Sequence, residues 1–352
     1  MSGDEITEAP TSFALTEHYT LISRRDGLLA GLDTESGSTR FTTKIEGHRD
    51  RLLLGAAEFD GTGLVVAAER RGRVFGIAPE DGRPRWQFEP GHGRFAGSVF
   101  EGPLAAVLTH EGFFYGLDPT DGTVLWKIRL GGLAQLEPLS HQGRIYAFSH
   151  DSSNRYVNVQ SIFPYTGRTE WQARIEGSLI GRPTFIDNWL ILPIVRRGRQ
   201  YLTAIDVEGA DNDVAWRLGL DGGSHAPSEV LAVELDGEPH GVVQTDHFEL
   251  TCFSLVDGEI RWRENSDRSM WRNGTRARLI RLDDCLLSVR DAFEIRRIGD
   301  GDLLHTLPQP FHAPEFLTAF GQLRIVVGEA NTPSDIDDRL VGVDLNHFLV
   351  EI

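Results

Sequence analysis

Lysine is nearly absent from this chain. Of its 35 basic residues only Lys44 and Lys127 are lysines, and 52 acidic residues bring the formal net charge to −17. A GC-rich genome and adaptation to high salt both produce such a composition, and the sequence leaves the two open. A body with this charge repels phosphate, so no general nucleic-acid-binding surface is expected.

Cysteines, long apolar runs and targeting signals are also scarce. Cys252 and Cys285 stand in apolar strand contexts, which predicts buried free thiols and no disulfide or metal pair. No stretch approaches the roughly 18 apolar residues of a membrane span. The first ten residues have no basic group and no apolar core, so they read as a flexible acidic tail and not as a secretory signal. We therefore expect a cytoplasmic protein without a membrane partner.

No window shows helical periodicity, and the signatures of common active sites are missing. The chain has no Gly-x-Ser-x-Gly elbow, no phosphate-binding glycine loop and no His-Glu-x-x-His motif. Its histidines lack the local spacing of metal ligands. The sequence thus predicts no cofactor, no metal and no catalytic residue. It favours a protein that is not an enzyme, without settling the question.

What the chain has instead is an eleven-residue motif that occurs eight times. The clearest copy runs from Gly116 to Trp126, with glycine at position 7 and tryptophan at position 11. The copies begin at residues 31, 76, 116, 161, 204, 252, 295 and 342, and so are 40 to 48 residues apart. A period in the forties, with several short strands in each unit, is typical of radial or stacked repeats.

Each motif reads as a strand, a turn and a second strand that ends in an aromatic residue, with two more strands upstream. In the third unit these are residues 97–100, 104–108, 113–117 and 124–128. Four short antiparallel strands repeated radially make the blade of a β-propeller. The predicted fold is therefore all-β, a single eight-bladed β-propeller of four-stranded antiparallel blades that spans residues 11–352.

The motif resembles the tryptophan-docking repeat of the quinoprotein-type (PQQ-like) propellers. The resemblance rests on Ala/Gly-x-Asp-x-x-Thr/Asp-Gly-x-x-x-Trp and covers roughly residues 11–352. The family includes quinone-dependent alcohol dehydrogenases and non-enzymatic members such as the propeller lipoprotein of the outer-membrane barrel assembly machinery. In that family the indole packs between neighbouring blades, which implies a structural role for Trp86, Trp126, Trp171, Trp216 and Trp262.

The dehydrogenase side of the resemblance is weaker. Those enzymes use an adjacent-cysteine disulfide, a calcium ion and a catalytic aspartate, and this chain has neither a Cys-Cys pair nor their large insertions. No cofactor or calcium residue is therefore carried over. The resemblance is closer to the non-enzymatic scaffolds.

The charges are predicted to separate by face. Turns between the first and second strands, and between the third and fourth, are rich in acids and share one face of a propeller. Turns between the second and third strands share the other face with the connections between blades. This second face carries the candidate partner-binding residues Arg24, Arg25, Arg70, Arg71, Arg73, Arg196, Arg197 and Arg199, together with Trp271 and Arg272 in an irregular connection.

Guanidinium groups suit carboxylates and phosphates, so the arginine face is expected to dock an acidic protein partner. We therefore predict a non-catalytic interaction scaffold. The alternatives are a funnel-type enzyme (a quinoprotein-like oxidoreductase, or a hydrolase or lyase) and a sensor of a small anionic ligand. The arginines could also simply pair with acids on the same rim, and Trp271 could plug the central channel.

Overall fold

The computed structural model describes residues 10–15, 18–24, 28–34, 36–45, 52–59, 62–69, 72–91, 93–102, 104–134, 136–209, 213–222, 226–245, 247, 249–264, 278–282, 284–289, 293–307, 314–320, 324–329 and 340–344. The chain divides into two compact units, Met1–Ile175 and Glu176–Ile352. Each unit is described by itself.

The first unit contains four antiparallel sheets of four strands, each with its strands in chain order. Their strands are β1 (Pro10–Leu15), β2 (Tyr19–Arg24), β3 (Leu28–Asp33) and β4 (Thr39–Lys44); β5 (Leu52–Phe59), β6 (Thr62–Glu69), β7 (Val74–Ile77) and β8 (Pro84–Phe88); β9 (Phe95–Phe100), β10 (Ala105–Thr109), β11 (Phe113–Leu117) and β12 (Val124–Arg129); and β13 (Leu139–His141), β14 (Arg144–His150), β15 (Tyr156–Phe163) and β16 (Arg168–Glu176).

The second unit contains a further four sheets, in which the fifth sheet of the chain has a split first strand and the eighth has three described strands. Their strands are β17 (Ser178–Leu179), β18 (Thr184–Ile186), β19 (Trp189–Arg196), β20 (Arg199–Asp206) and β21 (Val214–Leu220); β22 (Leu231–Leu235), β23 (Glu238–Gln244), β24 (Leu250–Ser254) and β25 (Ile260–Glu264); β26 (Arg278–Leu282), β27 (Cys285–Val289), β28 (Phe293–Arg297) and β29 (Leu303–Leu307); and β30 (Pro314–Phe320), β31 (Arg324–Glu329) and β32 (Leu340–Asp344).

The prediction of an all-β chain is confirmed in the described residues, which contain no helix. The four strands predicted for the third repeat agree with β9–β12 to within two residues at each end. Because the described part has no helix, it also has none with the length and apolar character of a membrane span.

The turn of the eleven-residue motif is held by two backbone hydrogen bonds. In the third sheet the N–H of Asp118 donates to the carbonyl of Thr123, and the N–H of Gly122 donates to the carbonyl of Asp118, both at 2.8 Å. The second bond requires a left-handed residue at position 7, and Gly122 has a φ of +76°. The glycine at this position is therefore required by the turn itself.

Apolar residues of adjacent sheets meet within each unit and form the core. One cluster in the first unit joins Val66 and Trp86 of the second sheet to Val107 and Leu117 of the third. Clusters of the same kind join the third sheet to the fourth and, in the second unit, the fifth to the sixth. Of the two thiols, Cys252 is buried and Cys285 is half-buried, and neither forms a disulfide.

Candidate interaction surface

The hairpin that joins β19 to β20 carries three of the predicted partner-binding arginines. Arg196 pairs with Arg199 at the end of the ladder, which leaves a two-residue turn of Arg197 and Gly198. Both turn residues are left-handed, with φ of +52° and +76°. This is the geometry of a type I′ hairpin, which asparagine or aspartate followed by glycine adopts most readily. Arg197 therefore holds a conformation that its side chain does not favour.

One glutamate serves this hairpin as its counter-ion. Glu176 lies 2.5 Å from the Nη2 atom of Arg196 and 3.8 Å from that of Arg197. The hydrogen bond from Arg196 is the main cause that lowers the pKa of Glu176, and the charges of Arg196, Arg197 and Arg217 add to it. Arg197 is 81% exposed. Arg199 is also exposed and has no acidic group within 4.0 Å among the described residues. The hairpin thus carries three arginines, of which Arg196 and Arg197 share one carboxylate, Glu176.

The second arginine-bearing turn follows β6, and the charge of its Arg73 is paired more completely. Glu69 is buried, and its carboxylate accepts a hydrogen bond of 2.8 Å from Nε of Arg73 and a second one from Nη2. The hydrogen bond that Arg73 donates to Glu69 is the main cause that raises the pKa of Arg73. The guanidinium also lies 5.5 Å from the ring centre of Phe75. Arg73 is therefore held within its own hairpin, as the alternative of local pairing anticipates.

The other predicted partner-binding residues cannot be placed side by side. Arg24 ends β2, but its side chain lies outside the described residues, as do Arg25, Arg70, Arg71, Trp271 and Arg272. Arg73 belongs to the first unit, whereas Arg196, Arg197 and Arg199 belong to the second. The β19–β20 hairpin is thus the one described place where several of these arginines meet.

The acidic residues of the motif turns have a local structural role. Asp121 accepts a hydrogen bond of 2.8 Å from the N–H of Thr123, and Asp257 accepts one of 3.0 Å from the N–H of Glu259. Hydrogen bonds from Thr123 to Asp121, and from Glu259 to Asp257, are the main causes that lower the pKa of each carboxyl. Aspartate is favoured here because its side chain caps the turn two residues ahead. The acidity of these turns therefore needs no partner to explain it.

The closing tryptophans are docked onto the turn of the next motif. The indole N–H of Trp86 donates to the carbonyl of Pro119 at 2.7 Å, and that of Trp216 donates to the carbonyl of Leu255 at 2.9 Å. Trp126 and Trp262 donate in the same way to the carbonyls of Pro164 and Ile298. All four acceptors stand at position 4 of the following motif.

A glycine at position 7 of the following motif provides the surface for each ring. A Cβ on Gly167 would lie 2.8 Å from Cδ2 of Trp126, and one on Gly258 would lie 2.8 Å from Cε3 of Trp216. The rings of Trp86, Trp126 and Trp216 are buried, whereas those of Trp171 and Trp262 are half-buried. Each of the four docked indoles is therefore occupied by contacts inside its own unit.

Two histidines form hydrogen bonds with the backbone of the connection between the third and fourth sheets. Nδ1 of His110 lies 2.8 Å from the carbonyl of Ala134, while the backbone of His150 pairs with Leu133 in both directions. His150 is buried, and this desolvation lowers its pKa against the opposing charge of Asp151. In the described part of the chain no three histidine, cysteine or acidic side chains come together as metal ligands would.

Comparison with known proteins agrees with this geometry. The family described as "Outer membrane protein assembly factor BamB" matches residues 70–178. The crystal structure of BamB from Moraxella catarrhalis superposes with a TM-score of 0.68 at 17% identity and covers 95% of this chain and 94% of that one. The chain has the fold of the BamB propeller. The predicted resemblance to PQQ-like propeller repeats is thereby confirmed. Within that group, both matches are to BamB.

A second solved structure shows how far this fold tolerates a change of sequence. The computationally designed Ika8 protein superposes with a TM-score of 0.66 at 13% identity and covers 97% of this chain and 98% of its own. No curated protein matches the chain by sequence. Like the BamB structure, Ika8 shares the fold at an identity that carries no functional residue across.

Two features of the surface are not evident from the sequence motifs. An Arg-Gly pair does not announce a type I′ turn, although its position between two eight-residue strands could have suggested one. Lys127 of β12 stacks on the rings of Phe113 and Tyr115 in β11, and Arg129 stacks on Phe113, a pattern that can be read only once the register of the two strands is known.

Proposed function

We propose that this chain is a non-catalytic interaction scaffold that docks an acidic protein partner through the β19–β20 hairpin. The observation that carries the proposal is the local charge: Arg196 and Arg197 share Glu176, and Arg199 has no acidic group within 4.0 Å among the described residues, in a chain of net charge −17. Exposed guanidinium groups in excess of their counter-ions suit carboxylates of a partner. Similarity to a family of assembly factors supports the general role.

The test is affinity capture from the native organism with the purified, tagged chain. The variant Arg197→Glu/Arg199→Glu keeps the Arg196–Glu176 pair and should lose at least tenfold of the captured partner. Wild-type capture should also weaken toward 0.5 M salt, where the screening length falls to about 4 Å. The control is Glu234→Lys/Glu238→Lys, a pair of exposed acids without a described ion pair. A partner lost with the control, but kept with the arginine variant, docks elsewhere.

We also infer that the eight sheets close into one eight-bladed ring. Eight copies of the motif and the nearly complete coverage of the BamB chain support this arrangement. A single compact body of this length has a radius of gyration of about 20 Å. Small-angle scattering that gives a markedly larger value would instead indicate two tethered units.

A cytoplasmic location is the remaining part of the proposal. Fractionation of the native organism with an antibody against the chain tests it, and recovery in the membrane or periplasmic fraction contradicts it.

A further inference from the structure

Strand β12 forms the outer edge of the third sheet. The order β12-β11-β10-β9 leaves one side of β12 without a neighbouring strand among the described residues. Its side chains alternate, with Trp126 buried and Leu125, Lys127 and Arg129 exposed. Leu125 is 52% exposed. Long exposed edges with apolar side chains are templates for the pairing of another chain.

The two cations of β12 have no acidic partner in the described part of the chain. The ammonium of Lys127 lies 4.8 Å from the ring centre of Phe113, and the guanidinium of Arg129 lies 5.2 Å from the same centre. Several arginines of other outer strands do pair with carboxylates: Arg40 with Asp33, Arg85 with Glu80, Arg174 with Asp151 and Arg261 with Asp236. In β12, by contrast, stacking on Phe113 orients the charges of Lys127 and Arg129 without neutralising them.

The backbone of β12 offers hydrogen-bonding groups beside these charges. The N–H of Leu130 donates to the carbonyl of Gly112, which fixes the phase of the ladder between β12 and β11. Because hydrogen-bonded and non-bonded pairs alternate in an antiparallel ladder, the N–H and C=O groups of Lys127 and Arg129 turn away from β11. Within the described part of the chain, the two residues whose backbone groups face away from β11 are therefore also the two cations without an acidic partner.

We propose that β12 is a docking edge for an extended segment of a partner protein, which adds as a further strand and carries acidic residues at alternate positions. Side chains of a strand repeat every two residues, so two such carboxylates lie opposite Lys127 and Arg129. A second copy of this chain fits poorly, since pairing β12 with itself would bring like charges together. This edge is separate from the β19–β20 hairpin, and either surface can fail its test alone.

The probe is a fluorescein-labelled octapeptide of alternating glutamate and valine, titrated with the full chain and followed by anisotropy. Binding should weaken at least tenfold in Lys127→Glu/Arg129→Glu. The matched control is Arg155→Glu/Arg168→Glu, which reverses two exposed arginines outside β12 and should bind within twofold of wild type. Hydrogen exchange of the Lys127 and Arg129 amides should slow at least tenfold when the peptide is bound.

The same octapeptide with every backbone amide N-methylated separates strand addition from simple charge attraction. It keeps its carboxylates but cannot donate to β12, so its binding should fall at least tenfold. Equal binding of the methylated peptide overturns the proposal, as does the absence of binding by the parent peptide. A chain that dimerises and protects the Lys127 and Arg129 amides without peptide overturns it in favour of a second copy.

Discussion

Trp86 lies directly on the backbone of Gly122, in the turn of the following motif. A Cβ on Gly122 would lie 2.9 Å from Cδ2 of the indole, and the φ of this glycine is +76°. Gly37 occupies the same position of the first motif with a φ of +69°, and nothing lies within 4 Å of its Cβ direction. The two glycines thus share a conformation and differ in their surroundings.

This pair separates backbone strain from steric contact. Gly37→Ala should lower the free energy of unfolding by about 1 kcal/mol, the cost of a left-handed alanine. Gly122→Ala should cost that amount and a further ~1–3 kcal/mol, because the indole must move. Urea denaturation of both variants measures the difference. Equal losses would mean that the indole shifts freely and does not depend on Gly122.

Removal of a docked indole tests the structural role assigned to the tryptophans. Trp126→Ala should lower the free energy of unfolding by about 3–5 kcal/mol, since it leaves a cavity between the third and fourth sheets. Trp126→Phe keeps a ring but loses the hydrogen bond to Pro164, and should cost less. Thermal and chemical denaturation check both. A Trp126→Ala variant with wild-type stability and lost partner capture would instead place Trp126 in a binding site.

The sequence predicts the strands well, because each motif joins three signals that act locally. Leu117 and Trp126 mark two strands, and Gly122 marks the left-handed turn between them. Even the burial of Trp126 follows from its place in the repeat. The acceptor of its N–H, a backbone carbonyl of the next motif, does not follow, because side-chain identity does not determine the direction of that carbonyl.

The arginine-bearing surface is predicted less completely, since ion pairing depends on neighbours far apart in sequence. Arg196 finds Glu176, twenty residues away, at the end of another sheet's outer strand. Arg73 and Glu69 are close in sequence, but their pairing requires the buried position of Glu69 at the end of β6. A count of arginines in turns therefore overstates the number that is available to a partner.

Because of His150, we expect the stability of the chain to depend on pH at values above those at which carboxylates titrate. Burial lowers its pKa, so the folded chain keeps the imidazole neutral while the unfolded chain protonates it below about pH 6.5. The unfolded state then binds more protons, and stability is complete above pH 6.5 and decreases as the pH falls below it.

The variant His150→Gln removes the titrating group and should reduce the loss of Tm between pH 7.5 and pH 5.5. His305 is an exposed histidine, so His305→Gln is the matched control and should keep the wild-type loss. An unchanged pH profile in His150→Gln would show that other groups carry the dependence in this range.

Substitution of Arg197 should change stability and partner binding in opposite directions. Its left-handed conformation in the type I′ turn is strained, and asparagine adopts that conformation more easily, as Asp236 before Gly237 does in another hairpin. Arg197→Asn should therefore raise the free energy of unfolding by about 0.5–1 kcal/mol. The same variant removes an exposed cation beside Glu176 and should weaken partner capture. Denaturation and affinity capture measure the two effects on one protein. If Arg197→Asn gains stability and still captures the partner fully, Arg197 lies outside the docking surface. If the variant loses stability, contacts of the arginine side chain stabilise the turn by more than the strain costs.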